Sequence, residues 1–343
     1  MKTILVTGGA GFIGSHTVVE LVRAGYRPII VDDFSNSEHS VIVNLQKLLG
    51  QTITCYEQDY TYQSKLRKII EDEKVDGIIH FAAFKQVGES VKEPLKYYTN
   101  NVSGLIGLLE MAAAYKIKHF VFSSSCTVYG EPKKLPVTED SPLQPAESPY
   151  GATKQMGESI LRDVTTASEI SNAMSLRYFN PIGAHPSALI GELPRGVPAN
   201  LVPFITQTAA GLREKLTVYG DDYPTDDGSC IRDYIHVVDL AKAHVSALAL
   251  LENKQASYYD VVNIGTGKGS SVLELLKTFE SVTGVKLNYE IGPRRKGDIT
   301  STYASVGKAA GLLGWQAEKT LEDSLVDAWR WQQTLSNEEP EES

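Results

Sequence analysis

The residues with the clearest chemical potential are Tyr150 and Lys154, which stand four positions apart in the sequence. In a helix this spacing places both side chains on one face. A neighbouring ammonium group favours the phenolate form of a tyrosine, whose ordinary pKa is about 10. Such a tyrosine could exchange a proton with an alcohol. Alone, however, a pair at this spacing is more often exposed on an amphipathic helix, so its meaning depends on its surroundings.

A glycine-rich turn follows the first apolar segment of the chain. Gly8, Gly11 and Gly14 are spaced three apart and lead into a segment with helical spacing. A Cβ at these positions would block the tight turn, the approach of a pyrophosphate, or the packing of helix on sheet. The helix N-terminus would present free N–H groups to phosphates. The turn therefore predicts a bound dinucleotide, and the alternative is a glycine loop in a nucleotide-free α/β fold.

An aspartate indicates which dinucleotide is bound. Asp32 lies 18 residues after Gly14, at the end of the second predicted strand. A carboxylate there accepts hydrogen bonds from the adenosine ribose and repels a 2′-phosphate, which favours NAD over NADP. Asp33 reinforces this choice, and we expect no arginine near enough to reverse it. Asp59, after the third predicted strand, is either a contact of the adenine amino group or an ordinary turn aspartate.

The fifth predicted strand ends in Ser123-Ser124-Ser125. Active-site groups gather at the carboxyl ends of parallel strands. A serine hydroxyl there could bind the reacting alcohol and share its proton with Tyr150, while Lys154 could also hold the nicotinamide ribose. The positive nicotinamide ring would favour the phenolate further, so with both charges beside it we expect the pKa of Tyr150 to fall from about 10 toward neutrality. Together these motifs indicate the transfer of a hydride and a proton at an alcohol carbon.

The elements that must position these residues alternate between strand and helix through the first half of the chain. Apolar patterns predict strands over residues 2–7, 28–31, 52–56, 77–81, 119–123 and 174–179, and helices over 12–24, 41–49, 64–72, 97–115 and from Pro149 onward. This alternation predicts an α/β fold with a doubly wound parallel sheet, Rossmann-like, covered by helices on both faces.

The pattern changes after Asn180. Residues 181–203 are predicted to be loop, with helices over 200–211, 237–251, 272–283 and 321–335 and short strands over 216–219, 261–264 and 286–290. We therefore expect an NAD-binding domain over residues 1–180, to which some later segments return, and a smaller mixed α/β substrate domain over 181–336. The acidic tail, 337–343, is predicted to be disordered.

Composition limits the classes of partner. The 343-residue chain has a formal net charge of -9, which argues against nucleic acid as the main partner. Its three cysteines, Cys55, Cys126 and Cys230, are too few and too widely spaced for a disulfide framework or a zinc site. We find no run of about 18 apolar residues that could span a membrane. These features predict a metal-free, cytoplasmic enzyme.

Longer stretches of the sequence resemble the extended short-chain dehydrogenase/reductase family, in particular its sugar-nucleotide 4-epimerases that interconvert UDP-glucose and UDP-galactose. The matching stretches cover nearly the whole chain and are residues 6–16, 79–83, 85, 87–90, 122–125, 127–130, 176–181, 183–186, 226–228 and 232–236. The resemblance implies that Ser125, Tyr150 and Lys154 are catalytic. It also implies a homodimer that pairs through helices near residues 97–115 and 149–165.

The resemblance and the motifs together give two sets of expected ligand contacts. The cofactor set is Gly8, Gly11, Phe12, Ile13, Gly14, Asp32, Asp33, Asn36, Ser37, Asp59, Tyr60, Phe81, Ala82, Ala83, Lys85, Asn100, Ser123, Tyr150, Lys154 and Tyr178. The UDP-sugar set is Lys85, Ser125, Tyr150, Asn180, Asn200, Leu201, Thr217, Tyr219, Arg232, Arg295, Asp298 and Thr302. Within it, Arg232 and Arg295 suit a diphosphate because guanidinium binds it in a bidentate fork, and Tyr219 could stack on uracil.

The implied reaction has no net redox change. Hydride leaves carbon 4 of the sugar for NAD, the 4-keto sugar swings about its link to UDP, and the hydride returns to the opposite face while NAD stays bound. A 4,6-dehydratase is disfavoured, because it needs acid and base carboxylates where this chain has Cys126 and Thr127. A UDP-sugar dehydrogenase or reductase and a non-catalytic NAD-sensing protein remain as alternatives. Thr302, of intermediate size at the family's position near carbon 2, leaves open a UDP-N-acetylglucosamine or dual-specificity epimerase.

Overall fold

The computed structural model describes residues 1–295 and 297–338. Its strands are β1 (Thr3–Thr7), β2 (Arg27–Asp32), β3 (Thr54–Glu57), β4 (Gly77–His80), β5 (His119–Ser125), β6 (Asn172–Tyr178), β7 (Asn180–Ile182), β8 (Leu216–Tyr219), β9 (Ile231–Arg232), β10 (Tyr234–His236), β11 (Tyr258–Ile264), β12 (Ser270–Ser271), β13 (Tyr289–Gly292) and β14 (Ser301–Thr302). Its helices are α1 (Phe12–Arg23), α2 (His39–Leu49), α3 (Gln63–Glu73), α4 (Val87–Lys92), α5 (Pro94–Tyr97), α6 (Gly104–Ala114), α7 (Pro149–Thr166), α8 (Leu201–Ala209), α9 (Val237–Glu252), α10 (Val272–Thr283) and α11 (Leu321–Glu338).

The described residues form a parallel sheet of seven strands in the order β11-β6-β5-β4-β1-β2-β3. The chain starts in the middle of this sheet, runs outward through β2 and β3, and then crosses back to β4. The strand order therefore reverses between β1 and β4, and ligands of such sheets bind above that point. The predicted doubly wound α/β fold is confirmed.

Helices cover both faces of this sheet, as the alternation of side chains along β1 requires. Ile4 and Val6 are fully buried in a core with α1, α2 and α9. Leu5, between them, is fully buried in a second core with α3, α6 and α7. Because both faces are covered, the centres of β1, β2, β4 and β5 are apolar, and these four strands end in the polar residues Thr7, Asp32, His80 and Ser125.

The second half of the chain builds a smaller unit beside those carboxyl ends. Here β8 pairs with β13, β7 with β10, and β9 with both β12 and β14. Its core joins α8, α10 and α11 to β8 and β10. However, β11 pairs with β6 in the large sheet, and α9 packs against α1.

Several predicted elements have different bounds. The helix expected over 97–115 is a continuous helical segment in which α5 and α6 flank a π-helical turn, Tyr98–Ser103, and α4 precedes it. The loop expected over 181–203 contains part of β7. The strand expected over 286–290 lies at Tyr289–Gly292. In the predicted disordered tail, residues 337 and 338 end α11, and residues 339–343 lie outside the described residues.

Across residues 1–295 and 297–338, no helix combines the length and apolar character needed to cross a lipid bilayer.

Candidate active site

The glycine turn has the geometry of a phosphate cradle. Gly8 has a φ of 71°, and a Cβ on it would lie 2.7 Å from the backbone nitrogen of Ala82. A Cβ on Gly14 would lie 2.2 Å from the carbonyl oxygen of Gly8. Gly11 caps α1, whose first turn, beginning at Phe12, directs its N–H groups toward the same space. The turn therefore fits a dinucleotide pyrophosphate.

Asp32 connects this turn to the loop that follows β2. Its carboxylate accepts hydrogen bonds from the backbone nitrogens of Ala10 and Phe34, both at 3.0 Å, and from the Ser37 hydroxyl at 2.8 Å. Burial raises the pKa of this carboxyl and the three hydrogen bonds oppose that rise. The nearby Asp33 is exposed and accepts from Ser35. A fixed carboxylate at the end of β2 suits a ribose diol and disfavours a 2′-phosphate.

An arginine does lie beside this loop, which corrects the sequence-based expectation. Arg195 donates to the carbonyl oxygens of Ser35 at 2.9 Å and Ser37 at 2.6 Å, on either side of the exposed Asn36. It comes from 160 residues further along the chain, so no local pattern could reveal it. Its guanidinium is engaged by backbone carbonyls, which leaves the Asp32 carboxylate as the group expected to select the nucleotide.

The residues after β3 and β4 are held by the π-helical turn. The Asp59 carboxylate accepts a hydrogen bond from the backbone nitrogen of Thr61 at 2.8 Å. This is the geometry of a turn aspartate, one of the two interpretations offered for Asp59 from the sequence. Tyr60 donates to the carbonyl oxygen of Asn100. Asn101, which no sequence pattern indicated, is buried: its side-chain oxygen accepts from the backbone nitrogen of Phe84 at 3.0 Å and its amide donates to the Phe84 carbonyl oxygen at 2.9 Å. A π-turn has no simple sequence period, although such turns often occur at functional sites.

Lys154 reaches the end of β5 from α7. The lysine is 4% exposed, and its Nζ donates to the carbonyl oxygen of Ser123 at 2.6 Å and to the Ser123 hydroxyl at 3.2 Å. The Nζ also lies 5.0 Å from the centre of the Phe122 ring and 5.8 Å from that of Tyr150. Burial lowers the pKa of Lys154 to about 7, and the charge of Glu158 opposes that shift.

Tyr150 lies in the first turn of α7, directly after Pro149. Ser148 caps this helix, since its hydroxyl accepts from the backbone nitrogen of Gly151 at 3.2 Å. Burial raises the pKa of Tyr150 to about 12, while a hydrogen bond with Ser125 lowers it. The protein's own groups therefore do not lower the pKa of Tyr150 by themselves, because desolvation outweighs the hydrogen bond with Ser125. A further positive charge beside the phenol is required to release its proton near neutral pH.

The Tyr178 hydroxyl supplies an independent sign of a ligand. Tyr178 is 8% exposed at the end of β6, opposite Ser125 in the sheet register. Among the described residues its hydroxyl forms no hydrogen bond of good geometry, although burial raises its pKa and the nearby Ser123 hydroxyl opposes that rise. A buried hydroxyl without a partner is costly. Its position beside Ser123 and opposite Ser125 fits a bound nicotinamide nucleotide.

Two arginines of the expected UDP-sugar set meet at a carboxylate of the same set, and two further members lie beside the arginines. Asp298 lies 3.5 Å from a guanidinium nitrogen of Arg232 and 3.0 Å from one of Arg295. The Arg295 guanidinium carbon is 5.6 Å from the centre of the exposed Tyr219 ring. Thr302 is 4% exposed and opposes Arg232 in the β9–β14 pairing. This cluster places two cations and an aromatic face together, as a uridine diphosphate would need.

Lys85 and Asn200 meet at a residue that the sequence analysis missed. Asn200 donates to the carboxylate of Glu192 at 2.5 Å, and the Nζ of Lys85 lies 3.8 Å from the same oxygen. Trp331 fixes Glu192 by donating to its carbonyl oxygen at 2.9 Å. Burial raises the pKa of Glu192. Thr217 stands apart from this group, since its hydroxyl lies 3.4 Å from Glu290 on β13.

The remaining predicted contacts border the same region. Asn180 is held through its backbone nitrogen, which donates to the carbonyl oxygen of Asp233 at 2.9 Å. Asp233, also missed from the sequence, is fully buried and accepts from the backbone nitrogens of Gly267 and Ala304, both at 3.1 Å. The partly buried residues are Phe12, Ile13, Phe81, Ala82, Ala83, Asn100 and Leu201. The ligand roles of all these residues stay predictions.

Comparison with known proteins agrees with this arrangement. The family model described as GDP-mannose 4,6 dehydratase matches residues 5–327. The chain is 49% identical to a UDP-glucose 4-epimerase of Neisseria meningitidis serogroup B, over 96% of this chain and 97% of that one. It is also 49% identical to the UDP-glucose 4-epimerase of Bacillus subtilis, over 97% of this chain and 98% of that one.

A solved structure shows the same similarity. The crystal structure of the UDP-glucose 4-epimerase of Stenotrophomonas maltophila, with bound NAD and formylated UDP-arabinopyranose, superposes with a TM-score of 0.95 at 45% identity, over 98% of this chain and 99% of that one. The chain therefore belongs to this family of extended short-chain dehydrogenases/reductases, in its group of UDP-glucose 4-epimerases.

Proposed function

We propose that this protein interconverts UDP-glucose and UDP-galactose as an NAD-dependent 4-epimerase. The observation that carries the proposal is the meeting of Tyr150, Lys154 and the serine end of β5 beside the glycine turn. The chain that contains this arrangement is also 49% identical to a UDP-glucose 4-epimerase.

The protein's own groups have distinct tasks in this reaction. When bound, NAD takes up the hydride from carbon 4 of the sugar and returns it. Tyr150 exchanges the proton of the 4-hydroxyl, with Ser125 bridging the phenol and the substrate oxygen. Lys154, fixed on Ser123, holds the nicotinamide ribose and adds positive charge near the phenol. Because burial, only partly offset by the Ser125 hydrogen bond, raises the pKa of Tyr150 to about 12 in the chain itself, the positive charge of the bound nicotinamide is needed in addition to Lys154 for Tyr150 to act as a base.

The nucleotide part of the substrate requires a separate anchor. Arg232 and Arg295 share Asp298 within 3.5 Å, so a diphosphate would meet guanidinium groups that are already oriented. Tyr219, 46% exposed, presents its ring to uracil. A firmly held UDP and a loosely held hexose allow the 4-keto sugar to turn its other face toward the hydride.

The sugar specificity is a second part of the proposal. Thr302 is smaller than an aromatic residue and opposes Arg232, so the pocket near carbon 2 would retain some room. UDP-glucose and UDP-galactose are the main pair, with slower turnover of UDP-N-acetylhexosamines. Turnover of UDP-N-acetylglucosamine should be measurable and should disappear in Thr302→Tyr; its absence in the unaltered protein would remove this part.

The assembly proposed is a homodimer, in the cytoplasm. Helices α6 and α7 present Ile106, 42% exposed, and Met156, 43% exposed, on one surface. A shallow groove beside them is lined by Val102, Ala152 and Ile160. A second copy of these two helices would cover that surface. Sedimentation should give a dimer, and Met156→Glu should give a monomer.

The decisive experiment has two steps. Denaturing the purified protein should release NAD, and incubating the native protein with UDP-galactose should yield UDP-glucose without free NADH. Accumulation of NADH in proportion to substrate would instead identify a dehydrogenase. Bound NAD without turnover of any UDP-hexose would favour a non-catalytic sensor.

A further inference from the structure

Helix α7 presents a third polar residue to the serine end of β5. Tyr150, Lys154 and Glu158 follow one another at intervals of four, so they occupy one face of the helix. The first two meet Ser125 and Ser123. Glu158 completes the series, because its carboxylate accepts a hydrogen bond from the Ser124 hydroxyl.

Glu158 is also bound firmly from the neighbouring strand. Arg177 on β6 donates to both of its carboxylate oxygens, at 2.8 and 2.6 Å, and the two side chains are 6% and 5% exposed. Arg177 donates further to the Tyr129 hydroxyl at 2.9 Å, which donates to Asn263 at 2.6 Å. A carboxylate with this many bonds fixes α7 relative to β5 and β6.

The charges around Lys154 single out Glu158. On α7 the lysine faces Tyr150 and Glu158, and the Arg177 charge behind them is balanced by Glu158. From β4 it faces His80, whose pKa is lowered to about 3 by burial, so that this imidazole is neutral at physiological pH. From β5 it faces the uncharged Ser123 and the Phe122 ring. At the ends of β5 and β6, the Cys126 thiol and the Tyr178 phenol have pKa values raised by burial and are uncharged. Among the described residues, Glu158 is the carboxylate that opposes the effect of burial on Lys154.

We propose that Glu158 is a positioning residue of the reaction: it holds α7 against the serine end of β5 and keeps Lys154 in its ammonium form. This proposal rests on the proposed function only in assuming that the Lys154 ammonium group takes part in epimerisation. The effect of Glu158 on the protonation of Lys154 is a property of the folded chain, and it can be measured without substrate.

The test compares Glu158→Gln with the unaltered protein. The Lys154 Nζ is followed by NMR in the full chain with ¹⁵N-labelled lysine, and its signal is identified by its loss in Lys154→Met. In Glu158→Gln the titration midpoint should move to lower pH by about one unit. The alkaline limb of the epimerisation rate should move in the same direction, with activity partly regained on lowering the pH. An unchanged Lys154 midpoint overturns the proposal.

Two further variants separate positioning from stability. Glu158→Gln leaves Arg177 buried without its counter-charge, so a loss of stability is expected. The double variant Glu158→Leu/Arg177→Met removes both charges and should fold. It should lower the Lys154 midpoint by less than Glu158→Gln does, because the Arg177 charge that also opposes the ammonium is lost with Glu158. Glu73→Gln is the matched control: it breaks the 2.8 Å pair with Arg27 at the other end of the sheet and should lower stability without moving that midpoint.

The outcomes are distinct. If both Glu158 variants lower the melting temperature but leave the Lys154 titration unchanged, Glu158 is structural only and the proposal fails. If the titration moves but the unaltered protein turns over no UDP-hexose, the proposed function fails and the inference about Lys154 stands.

Discussion

Replacing Lys154 by methionine should stabilise the folded protein and remove its activity. The ammonium group is 4% exposed, and burial lowers the pKa of Lys154 from its ordinary value of 10.5 to about 7. A shift of that size corresponds to about 5 kcal/mol at about 1.4 kcal/mol per unit. The hydrogen bonds to Ser123 offset part of it, at about 1 kcal/mol each. A net gain of about 3 kcal/mol for the variant is therefore expected at low pH.

The difference in stability between Lys154→Met and the unaltered protein should depend on pH. The pKa of Lys154 is lower in the folded than in the unfolded protein, so between pH 7 and 10.5 the unfolded chain binds the additional proton. The stability of the unaltered protein should therefore rise relative to Lys154→Met as the pH increases through this window. Below about pH 7 the lysine is charged in both states, and the advantage of the variant should be greatest and constant.

The assay is urea unfolding of both nucleotide-free proteins at several pH values across this window. Arg162→Met, on the same helix with a 60% exposed side chain, is the control and should show no such pH-dependent difference. A variant less stable than the unaltered protein at about pH 6, or an advantage that does not change with pH, would refute the reasoning.

Three further substitutions test other parts of the site. Tyr150→Phe should lower turnover by about 10²–10⁴ while NAD and UDP-sugar still bind, and a kcat near that of the unaltered protein would contradict the assigned base. Gly14→Ala would place a Cβ 2.2 Å from the Gly8 carbonyl oxygen, so the purified variant should release little or no NAD on denaturation; a full complement would show that the turn can adjust. Arg295→Met should raise KM for UDP-galactose by about 10-fold or more with a smaller effect on kcat, whereas an unchanged KM would remove Arg295 from substrate binding.

The parts of the molecule that sequence predicted well are those encoded by neighbouring residues. The glycine spacing fixes a turn between β1 and α1, since Gly8 and Gly14 lie where a side chain would meet backbone. Likewise the interval between Tyr150 and Lys154 places both on one helix face, and the serine run ends a strand for which apolar periodicity is clear. Local patterning is sufficient for such features because their geometry is set within one or two turns of chain.

What sequence could not predict depends on distant partners or on burial. Strands β9, β12 and β14 have two residues each and exist only because they pair with one another across the chain. Arg195 meets the loop after β2 from 160 residues away. The pKa of Tyr150 was expected to fall because nearby charges can be inferred from spacing, whereas desolvation depends on all the surrounding elements.

The return of the chain to the large sheet has a consequence for how the protein is made. Until Tyr258–Ile264 has been synthesised, β6 has no neighbour on its outer side, and before α9 emerges one face of β1 and β5 lacks part of its cover. A nascent chain of 180 residues therefore presents an unpaired strand edge and bare apolar surface, both of which favour aggregation. Protection of this intermediate, by the ribosome or a chaperone, is thus needed until about three quarters of the polypeptide has been translated.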